Sequence, residues 1–421
     1  MPQQNNGLRV VNVILDYIDS SGNKTEIDIN KHGLVDLSFQ RFTGTTGSTL
    51  PNINLTMFDE TGYKLLSMFQ SNGGKLRVKY GFENDLSGLY ELTIVKYKST
   101  RNNLGTMASI GAFGRQTIRT YGPQAFVFDA SVQEILKKMA LRNNWDTNNF
   151  ANISVGDIRL PWPLLLEANE TDIEFIRNKI LPICNRTVSN ASAGQLQYWS
   201  VTLYTATSGR VNFSFKKYAD RTERRRVWYY SYGADANNSE VITLTDTIDY
   251  TFLLNGLYLE VPAKPSEIYG GDDTTVVQYY NNKIMNNWNL IEAMFEEYHL
   301  PLPAKDQFAL RVKFVPMEEA DDDMLVDRIY EAIRAAVTTV NTIEMEVIGN
   351  NHIVPTDIVE LDVRNKSGFQ TLLSGAWKVV LIEEKIGLQG YTTKLSLVRE
   401  VTPYDTVLTA TQRDGGYNNG Q

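Results

Sequence analysis

Short segments with alternating apolar and polar residues follow one another through the first 113 residues of this chain. They are LRVVNVILDYI, VDLSFQRF, NINLTMF, KLRVKYGF, YELTIVKY and TMASIGAF. A period of two places the apolar side chains on one face of a strand, and turn residues such as Gly73 and Gly74 separate the segments. The series predicts a β-barrel or β-sandwich over residues 1–118, with one short amphipathic helix from Tyr63 to Phe69 covering its end.

The periodicity changes after residue 118. Ser131 and Glu134 form an S-x-x-E capping box before apolar residues at helical spacing, and Thr171 and Glu174 repeat the box. Pro182 is predicted to end the second helix. Alternating strands return at QYWSVTLYT and RVNFSFKK. Residues 119–235 are therefore predicted to form a small α/β insert domain.

Strand patterns resume at Val241, stop after Pro262 and return at Thr342. The last four strands are IEMEVIG, DIVELDV, AWKVVLIEEKI and YTTKLSLVRE. They predict a second β-unit over residues 236–402. Residues 263–341 are too many for a plain loop and carry two amphipathic patterns, which predict a helical insertion. Residues 403–421 are predicted to be a flexible C-terminal arm.

Composition narrows the class of function. A chain of 421 residues needs several cores, and its net charge of −8 does not favour tight binding of nucleic acid through phosphate neutralisation. No secretion signal or membrane-spanning run is recognisable, so we expect no membrane insertion and synthesis and folding in a cytoplasm. The single cysteine, Cys184, follows Pro182 and Ile183, and this apolar surrounding predicts a buried small side chain.

No pattern of catalytic, cofactor-binding or metal-binding residues stands out. The glycine-rich stretch from Phe42 to Thr49 lacks the lysine of a phosphate-binding loop, and the acidic run from Glu318 to Asp323 fits a helix N-terminus better than a calcium loop. The adjacent carboxylates Glu383 and Glu384 carry no acid/base information by adjacency alone. The histidines, at positions 32, 299 and 352, lack metal-ligand spacing. We predict a non-enzymatic protein without catalytic residues, cofactor or metal.

One short basic cluster precedes a run of aromatic residues. Such a pattern could stack on and neutralise single-stranded nucleic acid, or it could form a subunit contact, since these residue types are enriched at interface hot spots. We favour the subunit contact. The candidate interface residues are Arg224, Arg225, Arg226 and Trp228, followed by Tyr229, Tyr230 and Tyr232.

Two segments resemble a known family when they are taken in order along the chain. The first is LLLEANETDIEFIRNKILPIC, with Glu170, Thr171, Asp172, Phe175 and Ile176 at the matching positions. The second begins at VIGNNHIVPTDIVELDV and ends at YTTKLSLVRE. Its matching positions are Gly349, Pro355, Asp357, Ser374, Gly375, Trp377, Val379, Gly390, Tyr391, Thr393, Leu395, Leu397 and Arg399. Both segments resemble the central hub proteins of phage tail baseplates, a family shared with late control protein D and with the hub part of type VI secretion spike proteins.

The resemblance implies a mainly β fold with α+β inserts: two tail-tube-like β-barrel domains, a small α/β domain and a helical insertion. It implies a homotrimer that adapts a six-fold tail tube to a three-fold spike and lines the DNA channel without binding DNA specifically. Implied partners are the tail tube protein, the spike protein, wedge or other baseplate proteins and a tape-measure protein. The expected location is the virion tail baseplate, assembled in the host bacterial cytoplasm. Alternative functions are a tail-associated cell-wall hydrolase and the hub of a type VI or other contractile injection machine.

Overall fold

The structure is a computed structural model. It describes residues 10–27, 33–42, 51–58, 66–67, 70, 74–83, 85–102, 105–114, 126–128, 130–156, 158–159, 164–166, 171–186, 199–206, 209–217, 225–233, 240–250, 256–260, 292, 295–296, 302, 312–316, 340–399 and 407–409. The chain is mainly β, as the sequence predicts. None of the helices in these ranges is both long enough and apolar enough to cross a membrane.

The first β-unit contains the predicted strand series. Its strands are β1 (Val11–Ile18), β2 (Lys24–Ile27), β3 (Leu34–Phe42), β4 (Asn52–Phe58), β5 (Lys75–Phe82), β6 (Asp85–Leu86), β7 (Tyr90–Asn102) and β8 (Gly105–Phe113). Strict alternation is visible in β4, where Ile53, Leu55 and Met57 are buried and the residues between them are not. The helix predicted from Tyr63 to Phe69 lies mostly outside the described residues. In this stretch the structure describes only positions 66, 67 and 70, and all three are helical.

The α/β insert has its own core. Strand β9 (Phe126–Phe128) pairs with β10 (Leu164–Leu166), and β11 (Trp199–Thr205) forms a hairpin with β12 (Val211–Lys217). Helix α1 (Val132–Asn143) begins with the predicted capping box at Ser131. Apolar residues of the helices, such as Ile135 and Phe175, pack into one cluster with Phe213 of β12.

The second capped helix continues beyond the predicted end. After α2 (Asp172–Phe175), the chain makes a π-helical turn (Ile176–Ile180) and then α3 (Leu181–Arg186), so the prediction that Pro182 ends the helix is wrong. Proline has no amide hydrogen to donate within an α-helix. Here the N–H of Leu181 donates to Ile176, five residues back, so the hydrogen-bonding pattern changes just before the proline and the helix passes through it.

The second β-unit contains β13 (Arg225–Tyr232), β14 (Val241–Ile248), β17 (Asn341–Ile348), β18 (Ile358–Val363), β19 (Gly375–Gly387) and β20 (Gly390–Arg399). Two further strands, β15 (Gly256–Glu260) and β16 (Val312–Pro316), form a separate parallel pair, so the predicted insertion contains a strand. Its two predicted helices lie almost entirely outside the described residues. Within the predicted C-terminal arm, β21 (Val407–Thr409) pairs with β13.

One sheet runs through both β-units, and the pairs along its main path are antiparallel, whereas β13 pairs in parallel with β18 and with β21. Its strand order is β14-β17-β20-β19-β3-β4-β8-β7-β5-β1-β2. Off this path, β6 pairs with β5, and β18 pairs with both β19 and β13. The two units therefore share a hydrogen-bonded boundary, where β3 of the first meets β19 of the second. Two apolar clusters lie behind this sheet, and the cluster of the first unit also takes in Ile386 and Tyr391 from the second.

Candidate functional site

We call the pairing of β3 with β19 the seam. It is antiparallel and extends from Asp36 opposite Gly387 to Phe42 opposite Leu381. Because side chains alternate across a strand, the adjacent residues Glu383 and Glu384 point to opposite faces of the sheet. Glu383 accepts hydrogen bonds from Ser38 and Gln40 on the outer face, whereas Glu384 is buried.

A buried ion pair crosses the seam. Nη2 of Arg41 lies 2.6 Å from Oε1 of Glu384, and both side chains are fully buried. The second carboxylate oxygen of Glu384 accepts hydrogen bonds from the Tyr391 hydroxyl at 2.9 Å and from Oγ1 of Thr393 at 2.7 Å. These two donors are on β20, so the carboxylate is anchored within the second unit while it reaches into the first.

Burial controls the electrostatics of this pair. Removal from water raises the pKa of Glu384, and the nearby Arg41 together with the donors Thr393 and Tyr391 only partly offsets that rise. For Arg41, burial alone would lower the pKa, but Tyr90, Tyr80 and Glu384 outweigh it and the pKa is raised. The guanidinium is therefore charged at any physiological pH.

Aromatic residues surround the pair on the side of the first unit. Phe39 packs against Tyr80 and Tyr90 with ring centroids 5.5 and 4.5 Å apart. Tyr391 reaches across from the second unit and contacts Tyr80 edge to face, with centroids 6.0 Å apart, and Phe82. Such contacts add to the area that the seam buries.

A loop of the second unit docks beside the same aromatic group. The side-chain amide of Asn351 donates to the backbone carbonyls of Tyr80 at 3.2 Å and of Asp85 at 2.8 Å, and Nε2 of His352 lies 2.7 Å from Asp85. Gly349 lies against the ring of Tyr391: a β-carbon there would be 2.2 Å from it. We call the positions that match the tail hub family the signature residues. Three of them, Gly349, Tyr391 and Thr393, thus meet at the seam.

Four other signature residues form a second cluster at the start of β19. The hydroxyl of Ser374 accepts from the amide of Val363 and donates to its carbonyl, which fastens β18 to β19. Trp377 is fully buried, and the guanidinium of Arg399 stacks 4.3 Å from its ring centroid. Arg399 also donates to the carbonyl of Ser374, while Gly375 adopts a φ of 123° that favours glycine. Gly390, with a φ of 108°, lies in the β19-β20 turn.

The predicted interface residues and Asp357 form a third cluster. Asp357 is fully buried and accepts hydrogen bonds from the indole of Trp228 and from the amide of Val354. Arg226 is buried beside Trp228, with its guanidinium 5.0 Å from the ring. Pro355 is buried in the adjoining turn.

These positions change the interface hypothesis. Arg226 and Trp228 are occupied by contacts inside the chain, whereas Tyr229 is 67% exposed and Tyr232 is partly exposed. Arg224 lies outside the described residues, as does the side chain of Arg225. The predicted subunit contact at β13 stays a prediction. The exposed side chains that could form it are Tyr229 and Tyr232.

The first signature segment belongs to the insert. Thr171 caps α2 through a reciprocal box with Glu174, and Phe175 is fully buried. Asp172 is buried and receives hydrogen bonds from Arg142 and Asn143, which ties the end of α1 to the start of α2. Glu170 lies outside the described residues.

The face of the sheet turned away from the apolar clusters is rich in hydroxyl and amide side chains. We call it the polar face. It covers eight strands from β14 to β7 and includes Thr245, Thr392, Ser38, Asn54 and Thr100. Both lysines and carboxylates lie on it, with Lys394 2.7 Å from Glu344. The other charged residues of this face include Asp36, Lys96, Lys98, Glu346, Glu383 and Lys385.

The described residues contain no cluster of three or more His, Cys, Asp or Glu side chains that could hold a metal ion. Cys184 is buried in the core of the insert, and burial raises the pKa of its thiol to about 12. A thiol with so high a pKa is a poor nucleophile at neutral pH.

Reasoning from the sequence missed the ion pair of the seam. A usable signal existed, since Arg41 follows Leu37 and Phe39 at a period of two and Glu384 lies between Ile382 and Ile386. A charge at a position that alternation places inside is a candidate buried charge. Its partner, 343 residues away, could not be read from the pattern.

The fold defines a class of protein: two β-units that share one sheet, with an α/β unit between them in sequence. This is the fold of solved phage tail proteins. The 43 kDa tail protein of prophage MuSo2 from Shewanella oneidensis aligns over 92% of this chain and 96% of its own, with a TM-score of 0.50 and 12% identity. A tail protein from Neisseria meningitidis MC58 aligns over 94% and 99%, with a TM-score of 0.51 and 9% identity.

Sequence comparison gives no such match: no family model and no curated protein matches this chain. The likeness is therefore one of fold. At that level it confirms the resemblance to the tail hub family that the two sequence segments indicate.

Proposed function

We propose that this chain is a structural, non-enzymatic central hub of a phage tail baseplate, in which three copies form a ring around a channel. The observation that carries the proposal is the continuous run of eight antiparallel strands from β14 to β7, shared between both β-units. The fold shared with two tail proteins supports the same assignment.

Both ends of this run are edges available for pairing. Among the described residues, β14 pairs only with β17, and its residues from Ile242 to Ile248 are largely exposed on both faces. At the other end β7 pairs with β5 only through Tyr90 to Thr93, so the edge from Lys96 onward lacks a second partner strand in the described part of the chain. Unpaired edges of this kind are templates for pairing with another chain.

The strand count fits a closed ring. Every neighbouring pair in the run is antiparallel and the number of strands is even, so β7 of one copy would meet β14 of the next in antiparallel orientation. A head-to-tail contact that closes by rotation gives a cyclic oligomer. Three copies would supply three times eight strands, with a circumference of roughly 115 Å and a backbone diameter of about 37 Å at ~4.8 Å per strand. That width suits a DNA duplex.

In such a ring the polar face would line the channel. Its charges are of both signs, and some are paired with each other, as in the contacts of Lys394 with Glu344 and of Lys385 with Glu383. Tight DNA binding requires uncompensated cations against phosphates. A hydroxyl-rich face with balanced charge therefore favours passage of DNA without specific binding. We place this ring in the virion tail, assembled in the host cytoplasm between the tail tube and the spike, with wedge and tape-measure proteins as further partners.

The assembly is tested by the mass of the purified protein and by reconstruction of intact tails. We expect a trimer by native mass spectrometry and density for the chain at the three-fold centre of the baseplate. A protein that stays monomeric at high concentration and is absent from that centre would contradict the proposal. If reconstruction shows the chain at the centre of a contractile injection particle that encloses no DNA, the chain would be the hub of such an injection machine instead of a phage tail.

The non-enzymatic part of the proposal has a separate test. Purified protein incubated with peptidoglycan should release no soluble glycan or peptide fragments above the level of buffer alone. A muramidase serves as the positive control. Turnover that scales with protein concentration would favour the cell-wall hydrolase instead.

A further inference from the structure

The seam joins two strands that no local connection aligns. In a hairpin the turn fixes which residues face each other, but Arg41 and Glu384 are 343 residues apart in sequence. Alternation narrows the choice without settling it, because a slip of two residues keeps every side chain on its own face. A slipped seam would still bury Leu37 and Ile386 and would still expose Ser38.

The buried ion pair distinguishes the observed register from a slip of two residues in one direction, the one that moves Arg41 away from Glu384. In the observed register Glu384 lies opposite Phe39, and Arg41, two residues along, reaches it at 2.6 Å. If Ser38 faced Glu383 instead of Lys385, Glu384 would face Leu37. Arg41 would then be four residues from that position, roughly 13 Å away at the rise of a β-strand, and out of reach.

The pair is poorly arranged for stability alone. Nε and Nη1 of Arg41 have no hydrogen-bond partner of good geometry among the described residues, although the side chain is fully buried. A buried charge pair with incomplete hydrogen bonding is commonly no more stable than well-packed apolar residues, whereas separating the two charges inside a core is strongly unfavourable. The ion pair therefore destabilises a register that separates the two charges more than it stabilises the observed register.

We propose that Arg41 and Glu384 are register determinants of the seam: they disfavour the slip that would bring Ser38 opposite Glu383, and so restrict how the two β-units align in the sheet they share. The carboxylate is held in the second unit by Tyr391 and Thr393, and the guanidinium lies among the tyrosines of the first. The slip that pairs Ser38 with Glu383 therefore leaves two opposite charges buried apart. The inference concerns contacts inside one chain and does not depend on the assembly of a ring.

Paired cysteines on the polar face can report the register. Ser38→Cys with Lys385→Cys places two cysteines directly opposite each other, whereas Ser38→Cys with Glu383→Cys places them diagonally, about 7–8 Å apart and beyond comfortable disulfide reach. Each cysteine pair is equilibrated in a glutathione redox buffer, and the intramolecular disulfide is quantified by mass spectrometry. Cys184 is buried and stays in place.

In the otherwise native chain, the direct pair should form its disulfide at least about tenfold more than the diagonal pair. In the background Arg41→Met with Glu384→Leu, the diagonal disulfide should rise and the ratio should fall by roughly tenfold, because separating charges no longer penalises the slip. Glu384→Gln, which keeps an acceptor for Tyr391 and Thr393, should shift the ratio in the same direction and is the second variant if the double change prevents folding.

The exposed pair of Lys75 and Glu91 provides the control. Lys75→Met with Glu91→Gln removes an ion pair from the same β-unit, away from the seam, and should leave the cysteine ratio unchanged. If Arg41 and Glu384 only stabilise the fold, the double variant Arg41→Met with Glu384→Leu and the variant Glu384→Gln should both have a lower melting temperature. The ratio of direct to diagonal disulfide should then be the same as in the otherwise native chain. That result, in folded protein, would overturn the proposal.

Discussion

At the scale of single residues, Gly349 is a position where the absence of a side chain is required. A β-carbon would lie 2.2 Å from Cδ1 of Tyr391, whose ring is held by Glu384 and by the aromatic residues of the first unit. We predict that Gly349→Ala lowers the free energy of unfolding by about 2 kcal/mol, since overpacking displaces that ring. Urea denaturation measures the change. A loss no larger than that of an ordinary surface substitution, about 0.5 kcal/mol, would argue against the contact.

Cys184 gives a second prediction at this scale. Its pKa is raised from 9.0 to about 12 by burial, so its thiol contributes stability below pH 9 that is lost as pH rises toward 12. Reaction with Ellman's reagent at pH 8 should be roughly a thousandfold slower in folded than in urea-unfolded protein, in line with the thiolate fraction. Cys184→Ala should remove this part of the alkaline loss of stability. Rapid labelling of the folded protein would contradict a buried thiol.

At the scale of elements, the capping box at Thr171 ties a sequence motif to a helix start. Oγ1 of Thr171 accepts from the amide of Glu174 at 2.9 Å, and the Glu174 carboxylate accepts from the amide of Thr171 at 2.8 Å. Thr171→Ala should cost about 1 kcal/mol of stability, measured by chemical denaturation. Glu174→Gln keeps an acceptor and should cost much less. Equal losses from both changes would mean that the box does not hold this helix end.

At the scale of the whole molecule, the proposed ring places β14 of one copy beside β7 of the next. Thr245 and the lysines Lys96 and Lys98 lie on the polar face of these two edge strands, and we expect Thr245 to lie near one of the neighbour's two lysines. Thr245→Lys should weaken assembly by like-charge repulsion, whereas Thr245→Glu should preserve it. Sedimentation velocity at low ionic strength gives the dissociation constants.

A compensating change sharpens this test. Lys98→Glu combined with Thr245→Lys should restore assembly, and circular dichroism should be unchanged in all variants because both residues are on exposed strand segments. Equal behaviour of the lysine and glutamate variants would place the contact elsewhere on the chain.

The sequence by itself determined the strands and the two capped helices. Alternation in NINLTMF and KLRVKYGF, and the boxes at Ser131 and Thr171, are local signals, and each corresponds to an element of the structure. It also identified the signature positions, although not their partners. The prediction that the helix ends at Pro182 was wrong. Proline cannot donate a backbone hydrogen bond, but the π-helical turn just before it changes the hydrogen-bonding pattern, and the helix continues.

Only the tertiary structure decided that the two β-units share one sheet and that Arg41 meets Glu384 inside it. Strand pairing across more than three hundred residues depends on which edges come together in space, and a period of two carries no information about the partner. The partner of Trp228 was decided in the same way, since its indole donates to the buried carboxylate of Asp357 on a turn that is distant in sequence. Local periodicity fixes which way a side chain points along its own strand, whereas the packing of the folded chain determines what it meets there.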